Sequence, residues 1–559
     1  MSGKDFKELV KALSKSAPSS YIRLLKSLRR SVRSAILKNE RRMVVLVGDV
    51  YDLKSVLLGR TIALYSKWVR EVKGDNVKVK VLYMFNPDFP ESRFRREVFS
   101  ETLKVRKPKN VTVEYSPIQE SERYLGTTYD VLVLDLHENL KPNDLGRLIG
   151  IVRGGGLVVL QLPNWDSWLK KLTVFQRTLA TPQHPESEVR QVFKKWFIRK
   201  LMEHNGIFIY DVDAKRTLKL YKEEKSTVQP FERKLEIPTD IRFPKELYDL
   251  ALTQDQIEVL KLAESFIDKP KRERRKVFVL IADRGRGKSC ALGIAIVGLV
   301  WELLKFKNRV RVLVTAPNPI NVQPLFQLAI KSLETLKLRF KVFERRGKVI
   351  EVKGERFSIE YWDPIDIPKL KGDIVAVDEA AALQVPMLHS INRSHNRVFY
   401  SSTIHGYEGA GRGFSIRFLK ALKDDPKIDI IEYEMEEPIR YSRNDPIEKW
   451  QFDTLLLDAE PAKLTSEDLE DISKGRFEYL KPDLEKWFSR EGEHELKSFF
   501  GIYVLAHYRN EPDDLAMMAD APHHTIRALK TKSGSIVCSV QLAEEGPIPD
   551  EILDDLLKG

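Results

Sequence analysis

Apolar, β-branched runs punctuate the first part of the chain: MVVLVGDV (43–50), VKVLYMF (79–85), VTVEYS (111–116), DVLVLDL (130–136) and GLVVLQLP (156–163). Helical stretches separate them, and before them Leu9, Leu13, Leu24, Leu25 and Leu28 recur at roughly helical spacing among lysines and arginines. Such alternation predicts an α/β fold in which helices cover a parallel sheet. From Glu186 to Asn205 a charged segment carrying Phe193, Trp196 and Phe197 predicts an amphipathic helix, and GIFIYDV after it a closing strand. RGGG (153–156) precedes a strand and opens no helix, so it is expected to be a tight turn. Gly48-Asp49 stands where α/β sheets bind ligands, but no phosphate fingerprint accompanies it and no catalysis is expected here. Residues 213–244 lose periodicity and gain charge and prolines, as a linker would.

LTQDQIEVLKLAESFI (252–267) then predicts a helix with Thr253 at its N-cap. In VFVLIADRGRGKSCALGIAI (277–296) an apolar strand passes through a Gly/Arg loop into an apolar helix opened by Gly287-Lys288-Ser289. This is the layout of a phosphate-binding loop: inward-turned backbone N–H groups and a helix N-terminus surround an anion. Lys288 supplies a point charge and Ser289 a hydroxyl for Mg²⁺, while Ala282 stands in place of the pattern's first glycine. VRVLVTAPN (310–318) predicts a strand, about 321–339 a helix, and VIEVKGERFSIEYW (349–362) a hairpin around Lys353-Gly354.

DIVAVDEAAAL (373–383) predicts a buried strand running into Asp378-Glu379. An aspartate there can hold Mg²⁺ through its water shell, and the adjacent glutamate can orient or deprotonate an attacking water, so ATP hydrolysis is expected. RVFYSSTIHGYEGAGRGFSIRFLK (397–420) adds a strand and a Gly-rich turn with Arg412, either a sensor of the γ-phosphate or a surface connection. His405 in that turn reads as a packed histidine rather than a catalyst. Arg440, just after the strand in IDIIEYEMEEPIRYSRNDPIEKW (428–450), can neutralise phosphoryl charge or pair with Glu436 or Glu437.

Length and charge extend this picture. A chain of 559 residues exceeds one core and divides into several domains. No apolar run reaches the ~18 residues of a membrane span, and the N-terminus lacks a signal-peptide core, so no membrane partner and a cytoplasmic location are expected. Two cysteines, Cys290 and Cys538, supply neither a disulfide framework nor a cysteine metal site. The net charge of +13 gathers in basic clusters at 22–42, 93–109, 189–200 and 269–276, which favours a polyanion partner, RNA or DNA.

In order between residues 250 and 545, ADRGRGKS, VDEAAALQVP, STIHGYEGAGRG, EPIRYSRNDPIEKW and VLAHYRNEPDDLAMMADAP resemble the tRNA(Met) cytidine acetyltransferase family and its eukaryotic RNA cytidine acetyltransferase relatives. The resemblance implies a Rossmann-like N-terminal α/β domain (1–212), a linker (213–245) and a RecA-like P-loop helicase/ATPase domain (246–440). A helical connector (441–497) and the beginning of a GNAT-type α+β acetyltransferase domain (498–559) follow. It implies formation of N(4)-acetylcytidine at the wobble position of elongator tRNA(Met), with acetyl-CoA as donor and ATP or GTP hydrolysis presenting the base. Extruding a base costs a few kcal/mol, and with no second phosphate loop in the chain, local remodelling is expected rather than strand travel.

By the same resemblance Ala282, Asp283, Arg284, Gly285, Arg286, Gly287, Lys288, Ser289, Cys290 and Ala291 cradle the phosphates, and Ser289 and Asp378 serve Mg²⁺. Lys288, Asp378, Glu379 and Arg440 carry hydrolysis, Arg412 and Arg440 contact the nucleotide, and Gln256 reads the adenine, with Gln254 a competitor in the same segment. Residues 498–559 read as a strand (FFGIYVLAHY), a helix (PDDLAMMAD) and a hairpin turning at Ser533-Gly534. The family's acetyl-CoA loop, R/Q-x-x-G-x-G/A, does not follow Ala543, so the chain reads as a C-terminally truncated member whose ATPase site alone is complete. The alternative is an ATP-dependent, helicase-like RNA remodeller without acetyl transfer.

Overall fold

The apolar runs of the N-terminal part form strands β1 (Arg42–Val47), β2 (Val79–Phe85), β3 (Val111–Pro117), β4 (Tyr129–Asp135), β5 (Val152–Leu162), β6 (Ile207–Asp211) and β7 (Arg216–Lys219) of one sheet. Its order is β3-β2-β4-β5-β1-β6-β7, parallel throughout except for β7 against β6. Every residue of β1, β4 and β6 is buried, which is why these runs lack polar alternation. β3, at the sheet edge, alternates instead. This computed structural model describes residues 3–15, 17–223, 230–270, 274–403, 414–506, 511–544 and 546. None of the described helices is long and apolar enough to cross a membrane.

The chain divides into two units: Met1–Phe231 with Asn444–Tyr503 and Glu511–Gly559, and Glu232–Arg443 with Val504–Asn510. In the first unit the RGGG segment differs from the expected turn, because it lies inside β5. Gly155 has φ +78° and donates its N–H to the Glu40 carbonyl at 2.7 Å. A Cβ on Gly154 would stand 1.9 Å from Asn39 Oδ1, so the glycines admit the chain leaving the helix Ser19–Lys38. β7 likewise falls within the stretch read as a linker. Gly48-Asp49 follows β1, and Asp49 lines a cavity of about 550 Å³ with Tyr51, His137 and Glu138.

The second unit holds β8 (Arg275–Ala282), β9 (Val310–Thr315), β10 (Phe340–Arg345), β11 (Lys348–Gly354), β12 (Phe357–Tyr361), β13 (Ile374–Val377), β14 (Arg397–Ser402) and β15 (Ile428–Met435). They form one sheet in the order β10-β11-β12-β9-β13-β14-β8-β15. The six strands from β12 to β15 in that order are parallel, and β11 and β10 extend the edge antiparallel. The helix Lys288–Leu303 is apolar almost all round, and nearly all of it is buried. One strand, β14, separates β8 from β13, so their carboxyl ends open on the same edge of the sheet.

The C-terminal strands β16 (Phe477–Leu480), β17 (His524–Thr531) and β18 (Ile536–Ala543) form a separate antiparallel sheet within the first unit. β16 lies in the stretch read as a helical connector. Of FFGIYVLAHY, expected as a strand, the part FFGIYVLA is instead the end of the helix Glu493–Ala506, and residues 507 and 508 lie outside the described residues. Its buried Leu496, Phe499 and Phe500 recur three and four residues apart, a helical stripe that begins upstream of the apolar run itself.

Candidate nucleotide site

Gly285 and Gly287 both take left-handed backbone, with φ +81° and +82°, and bend the loop after β8 into the helix Lys288–Leu303. The conformation and the space are equally restrictive at Gly287. A Cβ there would lie 2.2 Å from Ile439 Cδ1 and 2.7 Å from Gln256 Nε2. Ala282 is the buried last residue of β8, and Ala291 N–H closes the first helical turn on the Gly287 carbonyl at 2.9 Å. Arg286 is buried too, its guanidinium 3.6 Å from Asp283 and 3.4 Å from the Arg284 carbonyl.

Two outside segments hold this loop. Ile439 N–H donates to the Gly285 carbonyl at 3.0 Å, which brings the chain before Arg440 against the loop. Gln256, 2% exposed, donates from Nε2 to the Gly287 carbonyl at 3.3 Å and accepts the Leu252 N–H at 2.7 Å. Gln254 faces elsewhere: its amide accepts from Glu236 N–H at 2.9 Å and donates to the Glu236 carbonyl at 3.1 Å. The two open candidates therefore separate, since only Gln256 is tied to the loop through a hydrogen bond. Glu436 and Glu437, the suggested partners of Arg440, pair with Arg443 and Arg233.

Lys288 Nζ stands 2.8 Å from Glu379 Oε1 and 2.7 Å from Thr403 Oγ1, and Thr403 donates to Glu379 Oε2 at 3.2 Å. Glu379 adopts left-handed backbone (φ 47°, ψ 44°), a conformation that L side chains resist. Asp378 is fully buried; Ser401 Oγ and the Glu379 N–H donate to its Oδ1 at 2.8 and 3.0 Å. Burial and the neighbouring Glu379 push the Asp378 carboxyl up, outweighing Lys288. Burial also acts upward on Glu379, but there Lys288 and Arg284 prevail and hold it below the usual range. Burial pushes the Cys290 thiol up to about 11, which leaves it an inert neutral group in the helix.

Three participants escaped sequence reasoning. Thr403 and Ser401 meet the carboxylates only because β14 lies beside both β13 and β8. Asp255 accepts the N–H groups of Glu436 and Glu437, each at 2.7 Å, and so fixes the segment leading to Arg440. Polar residues at and just past the end of an apolar strand were the available signal for the first two. His405 and Arg412 lie outside the described residues.

Chemically, the edge brings together a loop bent by two positive-φ glycines, an ammonium, a buried carboxylate and a second carboxylate held by that ammonium. Asp378 Oδ2 is buried without a hydrogen-bond partner among the described residues, which fits a carboxylate meant for a hydrated Mg²⁺.

Family models match three stretches of the chain. They are "tRNA(Met) cytidine acetyltransferase TmcA, N-terminal" at 16–212, "RNA cytidine acetyltransferase NAT10/TcmA, helicase domain" at 279–458 and "GNAT acetyltransferase 2" at 498–559. The tRNA(Met) cytidine acetyltransferases TmcA of Thermofilum pendens and Pyrococcus abyssi are each 42% identical to it over 549 and 546 residues, 96% of this chain. That of Haloarcula marismortui is 34% identical over 94% of the chain. The chain spans 65% of the length of the first two relatives and 61% of the third.

Proposed function

The chain belongs to the tRNA(Met) cytidine acetyltransferase family, and we propose that it uses ATP or GTP hydrolysis to present the wobble cytidine of elongator tRNA(Met) for N(4)-acetylation by acetyl-CoA. In this reading residues 282–291 cradle the phosphates and Lys288 takes the outer ones. Arg440 and, in the Gly-rich turn, Arg412 answer the charge that develops there. Gln256 lies beside the base. Ser289 and Asp378 would hold Mg²⁺, which supplies further charge neutralisation at the phosphates. Glu379, freed when Lys288 turns to a phosphate, accepts a proton from the attacking water.

The observation that carries the hydrolytic part is the contact of Lys288 with Glu379 and Thr403 at the carboxyl edge of a parallel sheet. The acetyl-transfer part rests on family membership and the GNAT match at 498–559, which disfavours a remodeller without transfer chemistry. A cytoplasmic location accords with a tRNA substrate. The test is hydrolysis of ATP and GTP by this chain and its Lys288→Ala variant, followed by mass analysis of tRNA(Met) incubated with acetyl-CoA. Unchanged hydrolysis after Lys288→Ala removes the motor reading. This chain, without the acetyl-CoA loop, is expected to leave the tRNA unmodified, and failure of acetyl-CoA to bind a version extended to the full length of its relatives removes the transfer reading.

A further inference from the structure

Part of the basic character visible in the sequence is internal. Arg41 and Arg42, in the first basic cluster, are fully buried against Asp445, Glu40 and Glu223. Arg95 is buried against Asp135 and Glu138, and Lys200 against Asp453 and Glu493. These charges hold the first unit together and are not available to a polyanion.

The β10–β11 hairpin at the edge of the second unit's sheet is different. Lys341, Arg345, Arg346, Lys348 and Lys353 form no ion pair among the described residues, and all but Lys348, which is half-buried, are exposed. Register makes the arrangement unfavourable by itself, because Lys341 sits directly opposite Lys353 and Arg345 directly opposite Lys348. Like charges at directly paired positions destabilise a ladder. At the tip, Arg346 (φ 52°) and Gly347 (φ 70°) both take positive φ, as a tight two-residue hairpin turn requires. An arginine thus stands where asparagine or aspartate would be conformationally easier.

One face of the hairpin is partly buried, although Val342 opposite Val352 is 40% exposed, and the other is open. Val352 is fully buried, and Phe340 and Val349 pack against the core. Phe343, 42% exposed, shares the other face with Lys341 and Lys353, since it lies two residues from Lys341 and pairs with Glu351. An exposed ring flanked by unpaired cations matches the chemistry of single-stranded nucleic acid, with phosphates for the cations and a base face for the ring. An acidic protein surface would satisfy the charges but leave the ring without a partner.

We propose that the β10–β11 hairpin is an RNA-binding site, in which Lys341, Arg345, Arg346 and Lys353 hold the phosphate backbone and Phe343 stacks on an unpaired base. The site rests on the tRNA-substrate reading above and adds to it the surface of the motor unit that grips the strand. Repulsion across the hairpin is relieved when phosphates lie between the paired cations.

The test uses the whole chain, with a fluorescent oligouridine and a tRNA(Met) transcript titrated at several salt concentrations. Lys341→Gln/Arg345→Gln/Arg346→Gln/Lys353→Gln is expected to bind oligouridine at least tenfold more weakly at 0.1 M salt. Its log–log salt slope should flatten by about 3, since each lost contact to a single strand removes about 0.7. Phe343→Ala should weaken oligouridine binding roughly fivefold or more while leaving the slope unchanged. Lys341→Gln/Lys353→Gln should melt no lower than the wild type. A lower melting temperature with unchanged RNA affinity means the pairs are structural and overturns the proposal. So does competition by polyglutamate equal to that of oligouridine, with Phe343→Ala inert. If the wild type binds RNA and the quadruple variant binds it equally, this site alone falls. If the wild type binds none, the tRNA reading falls and the site with it.

Discussion

The Lys288 ammonium and the Glu379 carboxylate lie 2.8 Å apart, although ninety-one residues separate them in sequence. Each satisfies the other, and Thr403 bridges both. On the proposed function a triphosphate entering the loop would compete for the ammonium and so couple its own binding to release of the glutamate.

Glu379→Gln removes the acceptor but keeps the shape. Single-turnover ATP hydrolysis should fall by at least about 10²-fold, the lower range for loss of a positioned general base. Nucleotide affinity should hold or rise, because Lys288 no longer has an ion pair to give up. Hydrolysis at the wild-type rate would show that Glu379 is only the lysine's resting partner.

Gln256 and Gln254 offer a cleaner separation. Gln256→Ala should raise KM for ATP several-fold, and Gln254→Ala should leave it unchanged, since its amide is bonded to the Glu236 backbone. Loosening of the loop at Gly287 could mimic lost base reading. Inosine triphosphate, which lacks the 6-amino group, resolves the two. A wild type that prefers ATP and a Gln256→Ala variant that does not assign base reading to Gln256. Equal loss for both nucleotides assigns it a purely structural role.

How much of this was legible beforehand depended on whether a feature is local. The strands β1, β4 and β6 announced themselves because burial on both faces demands unbroken apolar runs. The loop around Gly287 was legible because its backbone requirement is met by one residue type. The helix Glu493–Ala506 was misread because FFGIYVLA is apolar at every position except its glycine and carries no period. Its direction is set by Leu496, outside that run. Thr403, Ser401 and Asp255 could not be found locally, since each acts through strand order or through a loop more than twenty residues away. Pairing like charges across β10 and β11 required the register itself.

Asp520 should give the first unit a pH-dependent stability. The carboxyl is fully buried, and burial pushes its pKa up to about 7 despite hydrogen bonds from Phe193 N–H and Gln176. A raised folded pKa means that the folded chain keeps a proton the unfolded chain releases. This contribution is fully present below about pH 4, falls as pH rises to about 7, and is absent above. Three units correspond to at most about 4 kcal/mol. His524, pushed down to about 4 by burial, acts in the opposite sense over part of the same range, so a comparison isolates the effect. Denaturant unfolding at pH 5 and pH 8 should find Asp520→Asn gaining on the wild type at the higher pH. A constant difference would mean that Asp520 is ionised in the folded chain.

The pair formed by Arg41 and Asp445 tests how far the segment from residue 444 onward depends on the N-terminal sheet. Both side chains are fully buried. Asp445 accepts from the Arg41 backbone N–H at 2.6 Å and its guanidinium at 2.9 and 3.1 Å, and it caps the helix Pro446–Leu455 through Ile447 and Glu448 N–H at 2.9 and 2.8 Å. Removing one partner of such a pair costs about 3–5 kcal/mol, because the other charge stays buried. The two removals are not equivalent. Without Arg41 the carboxylate keeps three backbone N–H donors and the helix N-terminus. Without Asp445 the guanidinium keeps the Ile149 carbonyl at 2.6 Å, a weaker substitute for a full negative charge, and the helix loses its cap at a further cost of about 1 kcal/mol. Asp445→Ala should therefore destabilise the chain more than Arg41→Met, and Arg41→Met/Asp445→Leu less than the sum of the single changes. Equal effects that add would mean the contact contributes only packing, leaving the helix cap and the ion pair without the coupling their geometry requires.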